Sequence, residues 1–556
     1  MLNNNTNNMH HSDSPSQQDG LNQLERLNSI GVALSAEHDN KRLLEIILLG
    51  AKELTNADGG TLYTVTDNAH LRFEIMRSKS LNIAMGGTTG QEIPFPPLPI
   101  YGEDGKPNLT MVAVYSVANA KTVNIPDAYL TDGFDFSGTA RFDAKMGYRS
   151  QSFLTVPMKN HENEIIGVLQ LINAIDPHTN QIVAFSDSHQ RLVESLASQA
   201  AVALTNQNLI VGLKNLFESF IKLIADAIDE KSPYTGGHCQ RVPELTMMLA
   251  EAAVKTDSGP LRDFTMSEKE IYELKIAAWL HDCGKVTTPE SVMDKATKLE
   301  TIFDRIHLID QRFELLKTQR ENACLRKAMD DMRNGQSVNL KYINHTINVI
   351  KKQLDDDKNF VRKINFGSEF MTPEDQQRVR DIANYEYLSD SGHSLKFLSE
   401  DEVYNLTIER GTLTPEERKI INNHILVTIN MLEALPYPKD LKRVPEYAGG
   451  HHERMDGKGY PKGLTRDQMS IPARMMGVAD IFEALTSKDR PYKRAKSLSE
   501  TLNILGKMKL DNHIDPDIFD LFIREKIYLR YAEKFLEETQ IDEVIEADIP
   551  GYTSQS

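Results

Sequence analysis

The sequence predicts a multidomain chain: an α+β domain at the N-terminus, a long linking helix, and an all-α C-terminal domain with a helical insertion. Three observations carry this expectation. At 556 residues the chain exceeds one ordinary core, so two to four domains are expected. Runs that partly alternate apolar and polar residues lie between residues 61 and 173, flanked by segments of helical period. From Leu216 onward the apolar residues recur almost only at helical spacing.

The elements follow in order. The first residues, MLNNNTNNMHHSDSPSQQDG, are Asn- and Ser-rich, and a disordered tail is expected over 1–20, with His10 and His11 solvated rather than metal-binding. Leu21, Leu24, Leu27 and Ile30 predict one helix, and Leu43, Ile46 and Ile47 a second. Thr61–Val65 and Leu71–Ile75 read as half-buried strands, with Pro- and Gly-rich loops between 86 and 108. Ser152–Met158 and Ile165–Asn173 read as two more strands, and the short polar link from Lys159 to Glu164 suits a hairpin. A helix is expected to begin near Ser186. From Leu192 to Ile228 one long helix is predicted by Leu192, Leu196, Ala203, Leu209, Leu213, Leu216, Phe220, Leu223 and Ala227. A stripe that long suits a parallel dimer; packing within one subunit is the alternative. Ser267 to Glu270 forms a capping-box signature, and Thr414-Pro415-Glu416-Glu417 a second helix start, expected to lead into a helix bearing His424. The charged stretch 301–410 has one clear helical face, Ile343, Ile347, Ile350 and Leu354, and reads as a helical insertion.

Composition bounds the function. The formal net charge of -17 argues against a general surface for nucleic-acid polymers or anionic membranes. It leaves room for a small anionic ligand in a metal-lined pocket, where bound cations dominate the local field. The three cysteines, Cys239, Cys283 and Cys324, are too sparse for a disulfide framework, and a reducing, cytoplasmic setting is expected. No apolar run approaches a membrane span, and the N-terminus lacks the apolar core of a secretory signal.

The chemistry gathers at Leu280-His281-Asp282-Cys283-Gly284-Lys285. His238 lies upstream, and His424, His451, His452 and Asp480 downstream. Imidazole nitrogen and carboxylate oxygen suit first-row divalent metals such as iron, manganese or zinc. Asp282 has two oxygens and could bridge two ions; a pair of ions about 3.5–4 Å apart serves in-line attack on a phosphate. Asp282 follows the apolar helix Ile276–Leu280 and Asp480 sits within an apolar run, so each buried acid needs a partner. Gly284 is expected to end the first of these helices. His451 and His452 precede a tight loop, Gly457-Lys458-Gly459-Tyr460-Pro461. A binuclear phosphohydrolase is suggested by these residues alone.

Two resemblances sharpen the reading. The SFLTVPM and GVLQLIN runs, Phe185 and the helix after it resemble the end of a GAF domain, spanning 21–206, with a linking helix over 207–230. GAF domains bind cyclic nucleotides, haem, bilins or nothing, so an unknown small ligand is left open; Phe142, Asp143, Gly147 and Tyr148 lie where such domains line a pocket, or they merely pack the loop. Residues 231–540 resemble the HD-GYP family of HD phosphohydrolases, which cleave cyclic di-GMP; 301–410 is the insertion and 541–556 a C-terminal tail. The resemblance rests on GHCQRV at 237–242, HDCGK at 281–285, His424, HHERMDGKGYP at 451–461 and ADIFEALTSKDRPYK at 479–493.

That resemblance implies two divalent ions, iron or manganese. His238, His281, Asp282 and Asp480 would hold one, and Asp282 would bridge to a second held by His424, His451 and His452. A bridging hydroxide would be the nucleophile. Lys285 would face the scissile phosphate. Gly457, Gly459, Tyr460 and Pro461 would shape the substrate rim and dock partners, diguanylate cyclases among the candidates. Arg490 and Lys493 would hold substrate phosphate, although the segment leading to them is one residue longer than usual. Tyr234 stands where some members carry a Glu for a third metal, so two ions are expected. Cys283 reads as a small buried apolar substitute rather than a redox sensor. The implied activity is hydrolysis of cyclic di-GMP to pGpG and onward to GMP. Cyclic GMP-AMP is an alternative substrate, and a non-catalytic receptor or interaction module an alternative role.

Overall fold

The computed structural model describes residues 15–231, 237–367, 370–488 and 495–553, with side chains from residue 20 onward. Tyr234, Arg490, Lys493, His10 and His11 lie outside the described residues. The chain divides into two compact units, Met1–Leu216 and Phe217–Ser556.

The first unit is a sheet between helices. Helices α1 (Pro15–Ala36) and α2 (Asn40–Thr55) precede strands β1 (Ala57–Val65), β2 (His70–Ser78), β3 (Ile83–Gly86) and β4 (Leu98–Pro99). Then come α3 (Val112–Asn119), β5 (Val123–Ile125), α4 (Ser137–Met146), β6 (Phe153–Lys159), β7 (Ile165–Ile175), β8 (Ile182–Val183) and α5 (Asp187–Lys231). Strand order is β3-β2-β1-β7-β6-β5, with β4 on β2 and β8 on β7, and every pairing is antiparallel. The expected β6–β7 hairpin is present, with Phe153 opposite Ile172; the Asn160 side chain accepts from the amides of Glu162 and Glu164 and shapes its turn. Alternation places Leu62, Leu169 and Leu171 against Leu43, Ile47 and Leu48 of α2 and Val193 and Leu196 of α5. Tyr63 and Val168 point to the other face and pack with Val114 of α3. Helix α1 begins at Pro15, inside the segment expected to be tail.

Helix α5 is one element of 45 residues, in keeping with its periodicity. Its stripe changes character along its length. Leu192, Leu196 and Ala200 are buried in the first unit, whereas Leu209, Leu213, Leu216, Phe220 and Leu223 are 53–69% exposed. Ile221, Ala225 and Ile228, on another face, join the core of the second unit.

In the second unit α6 (His238–Lys255), α7 (Glu268–Leu280) and the short α8 (Glu290–Met293) come first. After them lie α9 (Ile306–Arg333), α10 (Leu340–Asn365), α11 (Pro373–Ala383), β9 (Glu386–Leu388), β10 (Ser394–Lys396) and α12 (Glu400–Leu406). The remainder is α13 (Pro415–Asn422), α14 (His424–Glu433), α15 (Val444–Gly449), α16 (Ile471–Thr486), α17 (Leu498–Leu510), α18 (Pro516–Arg524) and α19 (Ile527–Phe535). The expected capping box forms at Ser267/Glu270, and the expected helix start at Thr414 carries one as well, with Glu417. Four details differ from expectation. Helix α7 stops at Leu280, and Gly284 instead lies in a 3-10 turn, Cys283–Thr287. His424 opens α14 rather than sitting within α13, because the helix breaks at Asn423. The insertion is not purely helical: β9 and β10 form a small antiparallel ribbon, and Leu299, Phe313, Leu354 and Phe397 share a core separate from that of the rest of the unit. The segment up to residue 551, expected to be part of a tail, is packed: Ile549 is buried in the main core and Lys509 donates to the carbonyl of Gly551.

Candidate metal centre

Five segments converge on one buried space. His238 opens α6, His281 and Asp282 follow α7, His424 follows α13, His451 and His452 follow α15, and Asp480 lies in α16. Local helix chemistry orients three of the rings. The last carbonyls of a helix have no partner within it. Here the imidazole just beyond the helix supplies one: Nδ1 of His281 meets Ala278 O at 2.8 Å, His424 Nδ1 meets Ile421 O, and His451 Nδ1 meets Ala448 O at 2.6 Å. A ring whose Nδ1–H is given to a carbonyl keeps its Nε2 lone pair free. His238 begins its helix, where free amides rather than carbonyls abound, and its Nδ1 meets the Glu483 carboxylate instead.

The four Nε2 atoms of His238, His281, His424 and His451 are buried without a hydrogen-bond partner, as is Asp282 Oδ1. Buried polar atoms are almost always satisfied, so five orphans facing one another mark a site that fits a cation. The two oxygens of Asp282 divide the donors. Oδ2 lies 3.2 Å from His238 Nε2 and 3.4 Å from His281 Nε2, with Asp480 Oδ1 3.4 Å from His238 Nε2. Oδ1 lies 3.2 Å from His424 Nε2 and 4.0 Å from His451 Nε2. Two groups whose ligand atoms lie within 4.8 Å of one another therefore share Asp282: His238 with His281, and His424 with His451 and His452. The nitrogen and oxygen donors suit a divalent first-row metal.

The electrostatics agree. Burial by itself would raise the Asp282 carboxyl, but Lys285 and the surrounding imidazoles hold it well below the carboxylate range. Asp480 behaves alike: burial opposes ionisation, and His238 and His281 overcome it. Burial drives His452 down to about 4 and His451 well below its ordinary value, leaving both neutral and able to donate a lone pair. In His238 burial works against protonation, yet Glu483, Asp282 and Asp480 more than compensate and draw positive charge to the ring. Lys285 Nζ donates to Asp282 Oδ2 at 2.5 Å.

The expected rim residues come together as well. Tyr460 stacks on His452 at 4.8 Å and 28°, and its amide donates to His452 O. Glu453 accepts from the amides of Lys462 and Leu464 and so folds the loop back. At Gly459 a Cβ would stand 2.3 Å from Arg454 N, so only glycine fits; Gly457 has φ +75°. Pro461 follows a cis peptide bond. Cys283 is buried, and burial lifts its thiol to about 11, in keeping with an apolar filler. In the first unit Asp143 accepts from Tyr129 OH and from the amide and hydroxyl of Ser150, while the Tyr148 hydroxyl donates to Asp58; both polar groups serve loop packing.

Glu483 and Arg241 escaped the sequence reading. Arg241 Nε donates to Glu483 Oε1 at 2.7 Å, and Glu483 is buried. The available signal was a second acid three residues after Asp480 in the same apolar helix, hence on the same face.

Comparison with known proteins places these features. Residues 39–204 match the GAF domain family and residues 373–518 the HD domain family. The chain thus carries a GAF domain followed by an HD domain. The HD match takes in His424, His451, His452 and Asp480, whereas His238, His281 and Asp282 precede it. The chain is 43% identical over 81 residues to 3'3'-cGAMP-specific phosphodiesterase 1 of Vibrio cholerae serotype O1, covering 15% of this chain and 19% of that one. A probable cyclic di-GMP phosphodiesterase of the same organism is 35% identical over 140 residues, covering 24% and 31%. The cyclic di-GMP phosphodiesterase response regulator RpfG of Xanthomonas campestris pv. campestris is 28% identical over 241 residues, covering 43% and 55%. The matched segments span between about a fifth and about half the length of these relatives.

Proposed function

We propose that this chain is a metal-dependent phosphodiesterase of the HD-GYP type that hydrolyses cyclic di-GMP to pGpG, with GMP the product of any second cut, under control of its GAF domain. One observation carries the reading: the two oxygens of Asp282 face two separate sets of orphaned imidazole nitrogens. His238, His281, Asp282 and Asp480 would hold one divalent ion, and Asp282, His424, His451 and His452 a second, with iron or manganese the metals of choice. Bound there, the ions would supply a nucleophile at neutral pH and neutralise phosphate charge.

The chain's own groups do the rest. Asp282, ionised by its surroundings, fixes the spacing of the two donor sets. Lys285 stays cationic beside Asp282 and offers an N–H to the scissile phosphate or its departing O3′. Hydrolysis breaks one P–O3′ bond, adds the elements of water, and leaves the proton on O3′. Tyr460, stacked on His452, forms a wall of the site, and Gly457, Gly459 and Pro461 shape its rim. Arg490 and Lys493 are proposed to hold a substrate phosphate.

Cyclic GMP-AMP is the second reading, favoured by the cGAMP-specific name of a relative 43% identical over 81 residues. The exposed stripe of α5 supports a parallel homodimer, testable by sedimentation. A small ligand at the GAF domain, docking of diguanylate cyclases at the 457–461 loop and a cytoplasmic location complete the proposal. Among the described residues no helix is long and apolar enough to cross a membrane.

The test is turnover of a panel of cyclic dinucleotides by protein loaded with metal without oxygen, beside elemental analysis. Wild type should hold two ions and release pGpG, and Asp282→Ala should lose both metal and activity. A folded, active, metal-replete Asp282→Ala variant would sink the proposal.

A further inference from the structure

The last turns of α5 hold both the start of α6, which carries His238, and the turn that follows Asp282. Asp229 accepts from the amide of Cys239, beside His238, and Gln240 Nε2 donates to Asp226 at 2.9 Å. On the other side, Lys231 Nζ lies 3.2 Å from Lys285 O and 2.7 Å from Thr288 O, and it also donates to Val286 O. An ammonium has three N–H groups, and here three main-chain carbonyls of a single turn take them. The turn is held from its opposite side too: Gly284 N donates to Thr428 Oγ1 at 2.9 Å. Within it, Lys285 N donates to Asp282 O and Thr288 N to Lys285 O.

We infer that Lys231 is a positioning residue for Lys285. Its ammonium fixes the carbonyls of the 3-10 turn and thereby sets where the Lys285 side chain stands relative to Asp282. The inference rests on the phosphodiesterase reading for its catalytic consequence, but not for its structural one. Two features single out this contact. A lysine at the C-terminal end of a helix is favoured there by the helix dipole, so the contact is cheap to keep. Helix α5 also runs without interruption from Asp187 to Lys231. Any rotation or shift of its last turn would drag the three carbonyls with it, while His281, His424, His451, His452 and Asp480, carried by α7, α13, α15 and α16, would stay in place. A displaced α5 would then change turnover more than metal content.

The experiment compares full-length, metal-loaded wild type with Lys231→Met, which keeps the stem and removes the donors, and Lys231→Arg, which restores them. Three readouts are taken: kcat and KM on the cyclic dinucleotide that wild type hydrolyses, metal content, and amide hydrogen exchange over 280–290. Lys231→Met should lose about tenfold or more in kcat with KM little changed, since a small misplacement of a catalytic group has effects of that order. Its metal content should match wild type, and exchange at Lys285 and Thr288 should quicken about tenfold. Lys231→Arg should recover part of both. Wild-type exchange at these two amides in Lys231→Met would overturn the inference, as would loss of metal and faster exchange throughout α16, which would make Lys231 a general prop. If wild type cleaves no cyclic dinucleotide, the phosphodiesterase reading falls, and the exchange comparison still decides the role of Lys231.

Discussion

Replacing Glu483 by Gln should weaken the proposed ion at His238 far more than the proposed ion at His424. Glu483 accepts from His238 through Oε2 and from Arg241 through Oε1, and its side chain is 1% exposed. The amide keeps the volume but removes the charge that steadies a cation at His238. Loss of such a supporting carboxylate typically costs 10–100-fold in metal affinity, about 1.4–2.7 kcal/mol. The ion proposed at His424, His451 and His452 would share only Asp282 with this group, so its affinity should change by less than about threefold. Arg241 adds a second effect: its side chain is 20% exposed and would lose its carboxylate, which should lower the stability of the second unit by about 3 kcal/mol. The assay is anaerobic titration of metal-free protein with Mn²⁺ against a chelator, resolved into two binding steps, with a thermal melt alongside. Equal weakening of both steps, or none of either, would refute the argument that His238 depends on Glu483 because it lies at the wrong end of a helix to find a carbonyl.

Two further outcomes follow from packing and burial. In Gly284→Ala the new Cβ would stand 2.0 Å from His424 O and 2.6 Å from Thr428 N, both rigid backbone, so the turn must part from α14; a loss of about 3 kcal/mol together with most of the metal is expected, and a wild-type melt would refute it. Lys298 is buried with its ammonium on the carbonyls of Leu406 and Ile408, and burial, only partly opposed by Asp375, lowers it to about 8 from 10.5. Between these values the folded chain releases the proton while the unfolded chain keeps it, so stability relative to Lys298→Met should rise by about 2–3 kcal/mol from pH 7.5 to 10.5 and then level off; a pH-independent difference in denaturant midpoints would show the ammonium to be well solvated.

The architecture was legible wherever one period ruled a segment. The β6–β7 hairpin, the full run of α5, the capping box at Ser267 and the helix start at Thr414 follow from local signals that tertiary packing did not override. The break at Asn423 and the ribbon of β9 and β10 were not legible. The first depends on His424 turning back to Ile421 O, and the second on three-residue strands too short to show alternation. Packing of the C-terminal segment depends on Ile549 finding the core across the whole unit, which no local pattern announces.

The site shows the same division at finer grain. His281 at the end of an apolar helix, His451 beside His452 before a tight loop, and the acids Asp282 and Asp480 could be found one by one, because such groups are out of place unless something holds them, whereas His424 was placed by the family resemblance. Three of those histidines complete their own helices, so each ligand arrives with its support encoded within three residues. His238 stands at a helix start and must borrow an acceptor from 245 residues away. A histidine ligand at a helix N-terminus thus calls for a carboxylate from a distant element, because its own helix offers it no free carbonyl. Within this chain the second acid of α16, Glu483, was the residue placed to answer it, one turn beyond Asp480 on the face that already pointed inward.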